Sequence, residues 1–441
     1  MGDVRNLHIA IMGAGMGGLG TALALSKKGF KHIDVYETAS DLGFVGAGIQ
    51  MAPNMGRILD KLGCWTEIEG ESTCVTGSSI RQGATNVELA HVDMPDIKAK
   101  YGYSHCCGHR SSLAGRMYEA CKKESSINFY FSTSLEDITE FSPRVSFTVL
   151  PRDSEPRRVH ADILLGCDGI KSVTREKLLQ QVGAIPEEAE TGQAAYRIML
   201  KREDMAHDPD LLALIDSDEV VRWVGEKRHI IAYAIDEKKS LYNISTAQPD
   251  DNFATAPSVT YTTKGSKSTM LKVFESFCPL VQNMLNLVPE GEVCEWRLRM
   301  HKPLPTWTHG SVALAGDACH PTLPHLSQGA AMAIEDGATI AEVLSRAPGT
   351  EPETIAKCLK VYEMSRKEWT SNLVQMAFMS GRTLHLGESK AKEERDRMFQ
   401  EHKANGSVPD KWTSPDVQKM IYTNDCVEKV NSEFDSFYAS L

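Results

Sequence analysis

One short glycine pattern constrains this chain more than any other: Gly13-x-Gly15-x-x-Gly18. It follows the apolar run LHIAIMG and opens the run GAGMGGLGTALALSKKG, which predicts a strand, a tight turn and a helix. Leu19, Leu23 and the alanines around them are suited to packing on a sheet, and Gly29 stops the helix. HIDVYE predicts the next strand. In such a unit the first glycine permits the turn and the second lets a pyrophosphate approach the backbone. The third lets helix and strand pack closely. The helix N-terminus offers free N–H groups and a favourable dipole to the phosphates. Glu37 closes the second strand, where a carboxylate accepts hydrogen bonds from a ribose. The plainer alternative is a βαβ turn with a surface glutamate; the strand–turn–helix context favours a dinucleotide.

Two further strand-and-turn signals lie at ADILLGCDGIKSVTR and at SVALAGDACHPTLPHLSQGAAMAIEDGATIAEVL. The stretch between them differs, with strand-like runs such as VVRWVG and HIIAYAI and a loop-rich part near 247–269. Beyond about residue 350, apolar residues recur at helical spacing and charge rises. The expected fold is α/β: a Rossmann-type dinucleotide-binding domain, an inserted α+β substrate domain and a helical C-terminal region. The expected boundaries are 1–180 and 300–345 for the first domain, 181–299 for the insert, and 346–441 for the tail.

Composition narrows the function. The chain has 441 residues and a net charge of −11, with no basic face to suggest nucleic acid. No apolar run reaches membrane-spanning length, and the N-terminus lacks the regions of a signal peptide. Eleven cysteines without a CxxC pair fit a reducing cytoplasm rather than a disulfide framework or a zinc site. No metal is expected. No GxSxG or paired-carboxylate motif points to a hydrolase.

Several segments are similar to one family, the group A flavin monooxygenases or aromatic hydroxylases. Asp168-Gly169 and Gly316-Asp317 end the second and third strand signals. Val45-Gly46-Ala47-Gly48-Ile49-Gln50 with Pro53-Asn54, and His109-Arg110-Ser111-Ser112-Leu113, match further family segments. So does Gly316-Asp317-Ala318-Cys319-His320-Pro321 with Pro324-His325 and Gln328-Gly329-Ala330. The match spans about residues 7–345 and is closest to salicylate hydroxylases and 6-hydroxynicotinate 3-monooxygenases.

The resemblance implies a bound FAD, with NADPH or NADH as a transient co-substrate and O2 as the oxidant. It implies that Asp317 binds the ribityl chain and Arg110 contacts the FAD. Gln50, in the GAGIQ segment, is expected to bind the cofactor, and Pro324, Gly329 and Ala330 fall in the flavin-ring segment, where the helix opening at Gly329 would face the pyrimidine ring. Asp168 belongs to a structural stretch near where the nicotinamide acts. The implied reaction is hydroxylation of a small phenolic or aromatic-acid substrate, anionic in kind, through a flavin C4a-hydroperoxide. Decarboxylation follows where the attacked carbon bears a carboxylate.

Related fungal hydroxylases place an arginine and a tyrosine on the substrate, and Arg197 and Tyr233 hold those positions here. Many relatives have Tyr-Pro where this chain has Tyr233-Ala234. His320 and His325 are polar candidates near the ring, as acid–base groups or as hydrogen-bonding support. The alternatives are an epoxidase of a polyketide or terpenoid, and a flavin-free binding protein on the same fold. Homo-oligomer formation is left open.

Overall fold

The glycine-flanked run His8–Met12 forms the centre of a parallel sheet. Its isoleucines pair with Ile163–Gly166 on one side and His32–Tyr36 on the other. Val312–Leu314 and Ile127–Tyr130 extend the sheet outward, and Thr308–His309 adds an antiparallel edge. Ile9, Ile11, Ile33, Val35, Leu164 and Leu165 are all fully buried, as strands covered on both faces require. The computed structural model describes residues 2–42, 47–253, 262–385, 390–405 and 410–441. Val45 and Gly46 of the sequence motif therefore lie outside the described residues.

The helix Met16–Lys27 packs on the helix Gly329–Ser345 through small residues. A Cβ on Gly337 would stand 2.6 Å from the backbone nitrogen of Thr21, so the contact excludes any side chain there. This approach brings the starts of both helices to one cleft.

A second sheet has eight strands among the described residues. Gln193–Lys201, Leu241–Pro249, Arg228–Ala234 and Glu219–Gly225 are its antiparallel centre. The strands Gly77–Gln82 and Glu88–Asp93 join it, the first pairing in parallel with Glu219–Gly225. The sheet thus draws strands from both sides of the boundary expected at residue 180. The sequence GSSIRQ hides this membership, because its buried positions are glycine and serines as well as Ile80.

The C-terminal region is helical, as expected, and is built on Pro352–Leu384, Pro415–Thr423 and Cys426–Ser440. It is bolted to the rest by buried polar groups. Arg222 of the second sheet pairs with Asp410 at 2.9 Å, and Ser380 donates to the same carboxylate. Arg366 reaches Asp336 and Glu335, each at 2.8 Å. None of the described helices is long and apolar enough to cross a membrane.

Candidate active site

The cleft lies between the two sheets, with a volume of about 350 Å³. One wall is the glycine turn. Gly13 has φ 95°, a conformation open to glycine, and donates its N–H to the Tyr36 carbonyl at 2.7 Å. A Cβ on Gly18 would fall 1.9 Å from the Gly13 oxygen, whereas one on Gly15 would meet nothing within 4 Å. The two glycines thus serve opposite ends: Gly18 closes the turn, and Gly15 leaves its outer face open to a ligand. Glu37 accepts from the Ala14 and Ala39 amides, each at 2.8 Å, which fixes its carboxylate beside the turn.

The second wall carries Arg110, Asp317, Pro324, Gly329 and Ala330. Among the described residues no hydrogen bond or ion pair holds the Arg110 guanidinium. Burial lowers its pKa, and the Asp317 charge opposes that. Asp317 meets the cleft on its open side; the protein crowding it otherwise raises its carboxyl, against the pull of His320, Arg110 and Arg175. Arg175 was not read from the sequence. It donates to the Ala318 carbonyl at 3.2 Å and to the Ile170 carbonyl at 2.7 Å, tying the two Asp-Gly-type turns together. An uncompensated cation, a turn with an open glycine, and two helix starts facing one space fit a pyrophosphate-bearing flavin.

The third wall is one face of the second sheet. Arg197 stands opposite Ser245, and Tyr233 opposite Asn243. Successive pairs two residues apart share a face, so Arg197, Ser245, Asn243, Tyr233 and Ile231 all line the cleft. Arg197 lies 5.2 Å over the Trp296 ring, and burial together with the nearby Arg110 lowers its pKa. Tyr233 is buried, which holds its hydroxyl far above its ordinary range, although Arg197 and Gln50 pull it down. Gln50 in turn meets His105 at 3.4 Å, and His105 meets the Tyr422 hydroxyl at 2.9 Å. Sequence reasoning missed Asn243, Ser245, His105 and Tyr422.

Two expected residues stand elsewhere. His320 is absent from the cleft lining. Its Nε2 bonds Asp336 at 2.5 Å, and Asp336 also accepts from the Gly316 amide at 2.9 Å. His320 therefore supports the Gly316-Asp317 turn from behind. Asp168 turns away as well, accepting from Ser172 at 2.5 Å and from the Thr174 amide at 3.0 Å. It secures the start of the helix Val173–Gln181, while Cys167 and Gly169 on either side line the cleft. His325 is buried against Gln193 at 3.0 Å and lies beside His229 and His385.

Two groupings bear on metals. His105 and His109 have the HxxxH spacing, but His105 serves Gln50 and Tyr422, and His109 accepts from the Ser111 amide. Cys319, His320 and Asp336 bring potential ligand atoms within 4.8 Å of one another. Arg366 already occupies that carboxylate, as does the Gly316 amide.

A family profile described as FAD binding domain matches residues 6–377. The FAD-dependent monooxygenase OpS4 of Beauveria bassiana is 30% identical, with 98% of each chain covered. The 6-hydroxynicotinate 3-monooxygenase of Pseudomonas fluorescens is 30% identical, covering 84% of this chain and 90% of its own. The 3-hydroxybenzoate 6-hydroxylase 1 of Aquipseudomonas alcaligenes is 31% identical, covering 77% and 81%. Among solved structures, a salicylate hydroxylase substrate complex superposes with a TM-score of 0.77 at 23% identity, covering 97% of this chain and 98% of that one. These relatives are monooxygenases and hydroxylases, which favours that reading over the epoxidase and the flavin-free protein.

Proposed function

Because this chain belongs to the FAD binding domain family and is an FAD-dependent monooxygenase of the aromatic-hydroxylase type, we propose that its substrate is a small aromatic bearing an anionic oxygen group. The observation that carries this reading is the convergence of Arg197, Asn243 and Tyr233 on one face of the cleft.

FAD, reduced by NAD(P)H, supplies the activation of O2. The chain supplies position, charge and dryness. Arg110 offers donors to the cofactor's phosphates, and Asp317 accepts from its sugar-alcohol chain. The start of the helix Gly329–Ser345 presents N–H groups to negative charge in the cleft. Arg197 pairs with the substrate anion and favours a phenolate over a phenol. Burial keeps the Tyr233 hydroxyl protonated, so that it can donate to a substrate oxygen in the cleft. Ile231 and Tyr233 continue into an apolar cluster with Leu326, Met332, Leu373 and Trp412, which excludes water from the reacting face.

The test is a screen of aromatic acids, phenols and neutral aromatics for stimulation of NAD(P)H oxidation by the FAD-loaded protein. Hydroxylated product and released CO2 are measured together. Acids or phenols should stimulate oxidation and neutral analogues should not. Stimulation by neutral aromatics alone would overturn the anionic assignment.

A further inference from the structure

The small sheet beside the cleft contains Gly48–Met51, Cys106–His109 and the edge strand Thr73–Cys74. Thr73 and Cys74 run antiparallel to Cys107 and Cys106. The Val75 amide donates to the His105 carbonyl at 2.8 Å, so Val75 and His105 are a hydrogen-bonded pair. Cys74 and Cys106 are then the neighbouring non-bonded pair, in which opposed residues approach most closely and share a face. Their Sγ atoms stand 3.5 Å apart. That pairing suits a disulfide without moving either strand far. Cys107, next in sequence, points to the other face.

Their exposures differ. Of the cysteines among the described residues, Cys74 alone is exposed, while Cys106 is buried. Either sulfur can donate across this contact; with Cys106 donating, the Cys74 pKa is lowered to about 6. Ser104 and Lys98 act in the same direction, against burial and Glu69. The same bond, with burial, raises Cys106. The outer sulfur is thus the one inclined to ionise and the inner one the one inclined to keep its proton. An accessible thiolate beside a second thiol is the arrangement that peroxide oxidation requires.

We propose that Cys74 and Cys106 are a peroxide-reactive dithiol that closes to a reversible disulfide. The Cys74 sulfur attacks hydrogen peroxide: an S–O bond forms, the O–O bond breaks, and hydroxide leaves to be protonated to water. Cys106 then gives up its proton and its sulfur attacks Cys74. The S–S bond forms, the S–O bond breaks and a second water leaves. The two thiols lose two electrons and one peroxide becomes two waters; a dithiol reductant reverses the change. Flavin monooxygenases themselves release hydrogen peroxide when activated oxygen misses the substrate. The strand that carries Cys106 ends at His109, directly before Arg110 of the cleft, so the oxidised pair would fix the strand that leads to the arginine proposed for the cofactor.

The experiment exposes the FAD-loaded, full-length protein to hydrogen peroxide, caps remaining thiols under denaturing conditions, and maps the peptides by mass. A cross-linked Cys74–Cys106 peptide that disappears with dithiothreitol is expected. In Cys106→Ser, Cys74 should persist as a sulfenic acid that dimedone traps. In Cys74→Ser, an exposed and structurally mild change, oxidation of Cys106 should fall by about tenfold or more. Cys74 recovered as the capped thiol, or carried to the sulfinic acid without the cross-link, overturns the proposal. So does a disulfide that joins Cys106 to any other cysteine.

Discussion

Asn243 accepts the Gly48 amide on its Oδ1 at 2.7 Å, while its Nδ2 is buried with no partner among the described residues. The Gly48 bond settles which end of the amide is oxygen, and leaves a buried, unpartnered donor on a residue that lines the cleft beside Arg197 and Tyr233. A Cβ on Gly48 would meet the Asn243 Cγ at 2.5 Å and a Tyr233 ring carbon at 2.8 Å, so the glycine is what permits this contact. Asn243→Asp keeps an oxygen for Gly48 and replaces the free donor by a second acceptor. It should weaken binding of whichever aromatic acid stimulates NAD(P)H oxidation by about tenfold or more, the loss of a charge-assisted hydrogen bond of ~1.5–3 kcal/mol. FAD content should not change. Titration through the flavin absorbance reads this directly, and a wild-type dissociation constant would remove Asn243 from the substrate face.

Asp317→Ala and Arg110→Ala should lose FAD without unfolding. Each removes a charged group that no protein hydrogen bond or ion pair engages among the described residues, so the folded chain gives up little. The cofactor gives up a charge-assisted bond, worth roughly ten- to a hundredfold in affinity. Flavin occupancy after dialysis, beside an unchanged far-UV spectrum, checks both halves of the expectation.

How much of this was legible in the sequence follows from how local each geometry is. The Gly13, Gly15 and Gly18 roles were readable because a turn is fixed by adjacent residues. Arg197 and Tyr233 came from the resemblance, and the structure places both on the cleft. Asn243 carries no motif; its partner Gly48 is remote in sequence, and only the register that pairs it with Tyr233 reveals its face. Of the two roles open to His320, the structure shows hydrogen-bonding support, a choice the sequence could not make because nearness to Pro324 says nothing of where a ring points. Its partner Asp336 lies a helix away. Asp168 has the structural role implied for its stretch and is absent from the cleft lining, because Ser172 and Thr174, a few residues on, satisfy it locally.

Arg366→Leu should destabilise the chain severely. Glu335 and Asp336 are 1% and 0% exposed, and Arg366 bonds both. Burial alone would raise Asp336, but His320 and Arg366 overcome it and hold the carboxylate below its ordinary range. Removing the cation leaves two buried acids without it, a loss of about 3–5 kcal/mol. The melting temperature should fall by several degrees and flavin occupancy should fall with it, because Asp336 also holds the Gly316 amide. An unchanged melting temperature would contradict the role.

Arg197→Ala should stay yellow and folded but lose product formation. On the proposed reading the guanidinium pairs with the substrate anion and not with the cofactor. Its removal leaves that anion unpaired in a dry cleft, at about 2–5 kcal/mol, and lets the ring drift from the flavin. Product, hydrogen peroxide and FAD content belong on one preparation. The expected pattern is full FAD, little product and a larger share of NAD(P)H appearing as peroxide. Unchanged product with unchanged coupling would separate Arg197 from the substrate.

The chain should lose stability as pH falls below about 6.5, the ordinary range of histidine. His105 is buried and His385 half-buried, and loss of solvent lowers each to about 4; His229 and His325, both buried, are pushed well below the ordinary value for the same reason. His229 and His385 share one hydrogen bond at 2.7 Å, and His325 packs against both rings. These groups join the second sheet, the cleft loop and the end of the helix Pro352–Leu384 in their neutral form. The folded chain therefore binds fewer protons than the unfolded chain once pH drops below about 6.5. Each such histidine tilts stability by about 1.4 kcal/mol per pH unit down to its folded value. Urea midpoints measured at intervals from pH 7 to pH 4 should fall steadily. His105→Asn should flatten the slope by about one proton's worth. A midpoint that stays level between pH 6.5 and pH 5 would show that these histidines are not held neutral by the fold.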